Sequence, residues 1–135
     1  MIVTKYYNDD CVKFSDSYEG QFDSVVTDPP YGIEYLGNDW DSYQNCIAFQ
    51  KSTWESIAKP LKPGGYLLIF GASKTFHRLT CAVEDSGLKI RDVLMWLYGQ
   101  GMPKSQNIGK KDPNWEGWGT GLKPCYEPIL LAQKP

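Results

Sequence analysis

The chain has 135 residues, 41% of them hydrophobic and 14% aromatic, which is enough to bury the core of one domain of ordinary size. Fourteen basic residues against 16 acidic ones give a formal net charge of −2, and this excludes a chain held on nucleic acid by bulk charge alone. Disorder as the main state is excluded as well. No apolar run is long enough for a membrane-spanning helix, and the polar start lacks the pattern of a signal peptide. We therefore expect one cytoplasmic domain over residues 1–135.

The order of apolar segments predicts strands that alternate with helices. β-Branched and aromatic residues predict a first strand over Ile2–Tyr7, and the turn at Asn8–Asp10 leads into a short helix at Cys11–Ser15. Phe22–Thr27 is the second predicted strand, which ends where two prolines follow. From Ser42 to Leu61 the apolar residues fall at helical spacing, which predicts a long helix.

The second half of the chain continues the alternation. Tyr66–Phe70 is a short, continuously apolar run between glycines, typical of a parallel strand covered on both faces. We predict a helix from Ser73 to about Gly87 and a strand over Leu88–Tyr98. The Gly- and Pro-rich segment Gly99–Lys123 predicts a long loop before a last strand over Cys125–Gln133. The pattern predicts an α/β, three-layer sandwich with a mostly parallel sheet and an antiparallel final strand.

The four cysteines, Cys11, Cys46, Cys81 and Cys125, form no C-x-x-C pair, and His77 is the one histidine in the sequence. This spacing suits neither a zinc site nor a dense disulfide scaffold. We predict no metal site, and we expect the cysteines to be small buried apolar residues.

The sequence Asp28-Pro29-Pro30-Tyr31 follows the second predicted strand, at the edge of the sheet where α/β proteins bind ligands. It offers an acceptor-only carboxylate, carbonyls free of strand pairing, and an aromatic face. These groups suit an exocyclic amino group on a flat heteroaromatic ring. Asp28 and the Pro29 carbonyl would accept its two N–H bonds, and Tyr31 would stack on the ring. The alternative is a plain proline turn with a helix-capping aspartate.

Several segments together resemble the amino-methylating DNA methyltransferases, and especially the short phage-type DNA methylases. They are Asn8–Cys11, Asp28–Gly32, Leu61–Gly71, Ile90–Gly99 and Leu122–Ile129. Enzymes of this family transfer a methyl group from S-adenosylmethionine to adenine N6 or cytosine N4. The resemblance implies a Rossmann-like methyltransferase fold, this cofactor, and DNA as the partner, with the target base flipped out of the duplex toward Tyr31. An aspartate in the first motif position, where serine is the alternative, leans toward adenine N6.

The resemblance also implies roles for individual residues. All four residues of the Asp28–Tyr31 loop would be catalytic, with Asp28 also beside the cofactor. Asp10, or the adjacent Asp9, would hydrogen-bond the adenine of the cofactor, and Phe70 and Gly71 would lie next to it. A helix N-cap is an equal alternative for Asp10, and one carboxylate could serve both roles.

Residues outside the motif are candidates for contacts with DNA. Lys104, Lys110 and Lys111 lie in the predicted long loop, where they could hold phosphates beside the pocket. Trp40 follows the catalytic motif and could close over the target base. A solvated loop and a turn pinned by the tryptophan are the alternatives.

One motif of the family, a Gly-rich Phe-x-Gly-x-Gly segment between a strand and a helix, is missing from the positions where it is expected. In the family's sheet, the strand with this motif and its acidic successor lie between the first predicted strand and the Asp28 strand. The resemblance therefore implies a truncated sheet, closed by direct pairing or completed by a homo- or hetero-oligomeric partner. The alternative functions are a non-catalytic or partner-dependent nucleic-acid-binding subunit of the same fold, and methylation of an RNA base or a protein amide.

Overall fold

The computed structural model describes residues 3–100, 106–119, 121 and 125–135. In chain order its elements are α1 (Cys11–Ser17), β1 (Phe22–Thr27), α2 (Lys51–Ala58), β2 (Leu61–Phe70), α3 (Phe76–Asp85), β3 (Lys89–Leu97) and β4 (Tyr126–Gln133), with single turns of 3-10 helix in the connections. Within these ranges, no helix is long and apolar enough to cross a membrane.

The strands form one mixed sheet in the order β1-β2-β4-β3. β1 and β2 are parallel, and β4 lies between β2 and β3, antiparallel to both. Three strands therefore point the same way and the last one points back, which confirms the predicted sheet with an antiparallel final strand. As a result, the carboxyl ends of β1, β2 and β3 meet the amino end of β4 at one edge, which we call the carboxyl edge.

One face of the sheet carries the core. Leu67 and Ile69 of β2 pair with Ala132 and Leu130 of β4, and all four are inaccessible to solvent. The helices and their connections cover them with the remaining core residues, namely Cys46, Ala48, Trp54, Leu61, Leu79, Ala82, Val83 and Leu88. α1 packs against α2, and its first residues line a groove with β1.

The opposite face of the sheet, which we call the bare face, is exposed in part: Ile129 on the central strand β4 is 7% exposed, whereas several apolar side chains on the other strands lie open to solvent. Side chains alternate along a strand and paired residues share a face, so this face carries Val26, Tyr66, Leu68, Phe70, Leu94, Trp96, Ile129 and Leu131. Val26 is 66% exposed, Trp96 54% and Tyr66 42%. Of the three layers that the resemblance implies, the described residues provide the sheet and one layer of helices.

The predicted first strand is wrong for residues 3–7, which the structure describes as irregular chain. Val3 is 70% exposed and Tyr6 93%, while the Tyr7 ring contacts Phe14 of α1 with the ring centroids 4.7 Å apart. A strand needs a neighbour for its backbone N–H and C=O groups, and none of the described strands pairs with this segment. β propensity alone is therefore not enough to make residues 3–7 a strand.

The predicted helix over Ser42–Leu61 is too long. The observed helix is α2, and 3-10 turns occupy much of the chain before it. In a continuous helix the Ala48 carbonyl would accept from the backbone four residues on; instead it accepts the indole N–H of buried Trp54 at 2.9 Å. By contrast, the short helix after Asp10, the strand Phe22–Thr27 and the last strand are confirmed. β2 begins at Leu61, earlier than predicted.

Candidate functional site

The Asp28–Tyr31 loop lies at the carboxyl edge of the sheet. Thr27, the last residue of β1, pairs with Ile69 of β2, so the chain enters the loop beside Phe70 and Gly71. The backbone N–H of Gly71 donates to the Pro128 carbonyl of β4 at 3.0 Å. The start of β4 therefore reaches the same edge, and the loop shares that edge with two of the predicted cofactor residues.

The Tyr31 phenol lies between two carboxylates. Its hydroxyl is 3.5 Å from Oε2 of Glu127, and it also interacts with Asp28. Burial first, and then the hydrogen bonds and charges of these two carboxylates, raise the pKa of Tyr31 far above its usual range. Tyr98, the residue after β3, also has a raised pKa, caused by desolvation and then by Glu127. The phenol of Tyr31 is therefore a neutral donor that its neighbours hold in place.

Side chains from other elements fix the backbone of the loop. The Cys46 thiol donates to the Pro30 carbonyl at 3.2 Å, and the Thr75 hydroxyl donates to the Tyr31 carbonyl at 2.6 Å. Among the described residues, no group donates to the Pro29 carbonyl. The Pro29 carbonyl is thus open to a ligand, and the Asp28 carboxylate, which already interacts with the Tyr31 hydroxyl, keeps further lone pairs that can accept from one.

Sequence reasoning missed the residues that support the loop. Glu127, Thr75 and Asp41 are distant from Asp28 in sequence or lie in segments with another predicted role. For Glu127 a signal was available, because the start of an antiparallel last strand must lie at the carboxyl edge. The Asp41 carboxylate accepts from the backbone N–H of Gly32 at 2.8 Å and of Tyr35 at 2.9 Å, which no local pattern indicates.

The two acidic residues before α1 have local partners. Oδ1 of Asp10 accepts from the backbone N–H groups of Val12 and Lys13 at 2.9 and 3.0 Å, which is the N-cap arrangement. Oδ1 of Asp9 accepts from the backbone N–H of Asp10 at 2.7 Å. The capping role of Asp10 is therefore present, and it uses one of the two carboxylate oxygens.

The candidate DNA-binding residues do not join this cluster. Trp40 is 57% exposed on a 3-10 turn. Lys110 and Lys111 are exposed on a loop whose ends are joined by a bridge between Asn107 and Gly119. Lys104 lies outside the described residues.

The cysteines differ from the expectation. Cys46 is buried, but Cys11, Cys81 and Cys125 are exposed, so the expectation of buried cysteines is wrong for three of them. Cys81 lies on α3, whose core-facing side is filled by Leu79, Ala82 and Val83. In the part of the chain that the structure describes, no group of three or more His, Cys, Asp or Glu residues could hold a metal ion.

Comparison with known proteins extends the resemblance. The family model described as DNA methylase matches residues 22–135, which include the Asp28–Tyr31 loop and the whole sheet. The chain belongs to the DNA methylase family. It is 24% identical over 185 aligned positions to the type II methyltransferase M.HindIII of Haemophilus influenzae, covering 93% of this chain and 58% of that protein.

Two solved structures share the fold of this DNA methylase family member. M1.HpyAVI matches with a TM-score of 0.63 and 19% identity, over 95% of this chain and 54% of that one. TTHA0409, a DNA modification methylase from Thermus thermophilus, matches with a TM-score of 0.64 and 22% identity, over 94% and 52%. The chain thus spans little more than half the length of these relatives, and the predicted α/β methyltransferase fold is confirmed.

Proposed function

We propose that this chain is the catalytic half of an S-adenosylmethionine-dependent DNA amino-methyltransferase that acts on adenine N6, and that residues 1–135 form one methyltransferase-like domain. The observation that carries the proposal is the Asp28–Tyr31 loop at the carboxyl edge, with the open Pro29 carbonyl, the Asp28 carboxylate and a fixed aromatic ring. Membership of the DNA methylase family supports it. Structures of M1.HpyAVI and TTHA0409 in complex with S-adenosylmethionine support the cofactor.

The chemistry of the loop follows from its acceptors. The Asp28 carboxylate and the Pro29 carbonyl accept the two N–H bonds of the target amine, which directs the nitrogen lone pair away from the loop. S-adenosylmethionine, when bound, would supply the electrophilic methyl group in that direction, and its methyl–sulfur bond would break to leave a neutral thioether. As the new N–C bond forms, the nitrogen becomes positive, and Asp28 stabilises this charge and accepts the proton. Tyr31 stacks on the flipped base while its hydroxyl donates to a carboxylate.

The residues near the loop fit the cofactor in part. Oδ2 of Asp10 has no partner among the described residues, because the N-cap uses Oδ1. Cys11, which follows Asp10, and Thr27, which precedes Asp28, line one groove along β1. We assign Asp10, with Asp9 beside it, to the adenosine end of the cofactor, and Phe70 and Gly71 to the neighbouring part of the carboxyl edge.

The proposed partners are DNA and a second polypeptide, identical or different, that completes the cofactor half. β1 has one strand neighbour among the described strands, so its outer backbone groups are open. The bare face exposes large apolar side chains such as Trp96 and Val26. Open edges and apolar faces of this kind are ordinarily covered in native proteins. For DNA contact we assign Tyr31, Trp40, Lys104, Lys110 and Lys111, and we place the protein in the cytoplasm of a bacterial or phage-infected cell.

The decisive experiment is transfer of a labelled methyl group from S-adenosylmethionine to duplex DNA. Asp28→Ala should lower the rate by about 100-fold or more. Asp23→Ala is the matched control, because it removes an 86% exposed carboxylate of the same strand and should leave the rate unchanged. A wild-type rate in Asp28→Ala would contradict the role of that carboxylate. Chromatography of the digested product distinguishes N6-methyladenine from N4-methylcytosine.

Cofactor binding distinguishes the enzyme from a non-catalytic subunit, and the choice of methyl acceptor distinguishes DNA from RNA and protein substrates. Calorimetric titration with S-adenosylmethionine tests cofactor binding, and no heat for the chain with its partner would favour a non-catalytic subunit. RNA and protein acceptors in the same assay test the other substrates. Sedimentation tests the partner surface: Trp96→Glu on the bare face should reduce association, whereas Trp118→Glu, on an exposed loop position, should not.

A further inference from the structure

Asp41 is a buried carboxylate that organises the chain immediately after the catalytic loop. It is 2% exposed, and it accepts from the backbone N–H groups of Gly32 at 2.8 Å, Tyr35 at 2.9 Å and, less closely, Ile33 at 3.4 Å. Its own carbonyl accepts from the N–H of Glu34 at 2.8 Å. Four consecutive amides therefore converge on one residue.

Burying a carboxylate raises the free energy of the folded chain unless hydrogen bonds compensate for the lost water. A buried carboxylate is stable only when donors replace the water it has lost, and here backbone amides do so. The same segment holds Glu34 at φ 57° and Leu36 at φ 54°, a left-handed conformation that residues other than glycine seldom adopt. The hydrogen bonds to Asp41 offset this strain and hold the segment in one shape.

The segment continues directly from Tyr31. The Tyr31 carbonyl is fixed by Thr75, and the next N–H, that of Gly32, is fixed by Asp41. Gly32 has φ 66°, and a Cβ atom there would collide with the Phe49 ring. The peptide unit between Tyr31 and Gly32 is thus held at its oxygen and at its nitrogen, which fixes the direction in which the Tyr31 side chain leaves the backbone.

We propose that Asp41 is a positioning residue for the Asp28–Tyr31 loop: its carboxylate holds the Gly32 and Tyr35 amides and thereby orients the Tyr31 ring. The catalytic consequence of this proposal rests on the proposed function. The hydrogen bonds from the Gly32 and Tyr35 amides to Asp41, which we call the clamp, do not depend on it. Asp41 touches neither the base nor the cofactor in this scheme, and it acts through the peptide bond that follows Tyr31.

The clamp is tested by amide hydrogen exchange in Asp41→Asn, which keeps the size of the side chain but places an NH₂ group against one of the amides. Exchange at Gly32 and Tyr35 should become about 10- to 100-fold faster, while the amides of β2 stay unchanged. Asp39→Asn is the matched control, because Asp39 lies on the same 3-10 turn, is exposed, and accepts from a side chain, that of Asn45. Unchanged exchange at Gly32 and Tyr35 in Asp41→Asn would overturn the proposal.

Methyl-transfer kinetics separate positioning from simple stabilisation. The assay is run well below the unfolding temperature, so that each variant is folded. Asp41→Asn should lower kcat about tenfold or more and leave the KM for S-adenosylmethionine within about twofold. Asp39→Asn should change neither constant. Faster exchange with a wild-type kcat would overturn the positioning role. If the wild type transfers no methyl group to any acceptor, the proposed function fails, and exchange at Gly32 and Tyr35 alone decides whether Asp41 holds the loop.

Discussion

Replacement of Thr75 by valine tests whether the carbonyl of Tyr31 is held from outside the loop. The Thr75 hydroxyl donates to this carbonyl at 2.6 Å, and Thr75 is 7% exposed. Valine keeps the branched shape but removes the donor, leaving a partly buried carbonyl without a partner. Thr75 is also the N-cap of α3, yet its side chain makes no capping hydrogen bond, so no cap is lost. We expect a loss of about 1–2 kcal/mol in the free energy of unfolding.

For a chain of this length that loss corresponds to a fall in Tm of about 4–7 °C, measured by circular dichroism and checked by urea unfolding. The control is Thr80→Val in α3, where the hydroxyl donates to the Phe76 carbonyl of its own helix at 2.9 Å. That change should stay within about 0.5 kcal/mol of the wild type. Equal losses in the two variants, or none in Thr75→Val, would refute the reasoning.

Three further predictions follow from burial and backbone geometry. Thiol titration of the folded protein should count three fast-reacting cysteines, namely Cys11, Cys81 and Cys125. Cys46 should react slowly, because it is buried and burial raises the pKa of its thiol. A fourth fast-reacting thiol would contradict this. Because the pKa of Tyr31 is raised, the folded state holds the phenol proton more tightly, so stability should fall as the pH rises above about 10 and should fall less in Tyr31→Phe. Gly32→Ala should lower the free energy of unfolding by about 1–3 kcal/mol, because φ is 66° and the new Cβ meets Phe49; an unchanged urea midpoint would refute it.

The strands that sequence predicted correctly are those whose partners lie in the chain. Phe22–Thr27 and the last strand are apolar, lie between clear turn signals, and pair within the sheet. The predicted strand Ile2–Tyr7 has an equally strong β composition, but none of the described strands pairs with its residues 3–7. The long helix predicted after Ser42 is interrupted by a local side-chain contact, because the indole of Trp54, six positions on, takes the Ala48 carbonyl.

The candidate site likewise has one part that the sequence predicted and one part that it did not. The Asp28–Tyr31 loop could be predicted because its chemistry lies in four consecutive residues after a strand. Its supports were missed, because Thr75 and Glu127 contact Tyr31 across 44 and 96 positions of the chain, and the predicted position of the last strand was a signal for Glu127 alone. Their contacts exist only after the sheet has formed, so no local pattern carries them.

The composition of the sheet bears on the proposed partner. A strand with one face in water ordinarily alternates apolar and polar residues, yet β2 reads Tyr66-Leu67-Leu68-Ile69-Phe70 without alternation. Leu67 and Ile69 face the core, and the other three lie on the bare face. Val26 and Trp96 continue that apolar surface on the neighbouring strands. Apolar side chains stabilise the folded state only when they are removed from water. The strands therefore have the composition of a sheet that is packed on both faces, and the described helices pack on one of them. A second polypeptide on the bare face, which we propose, would therefore add stability as well as the rest of the cofactor site.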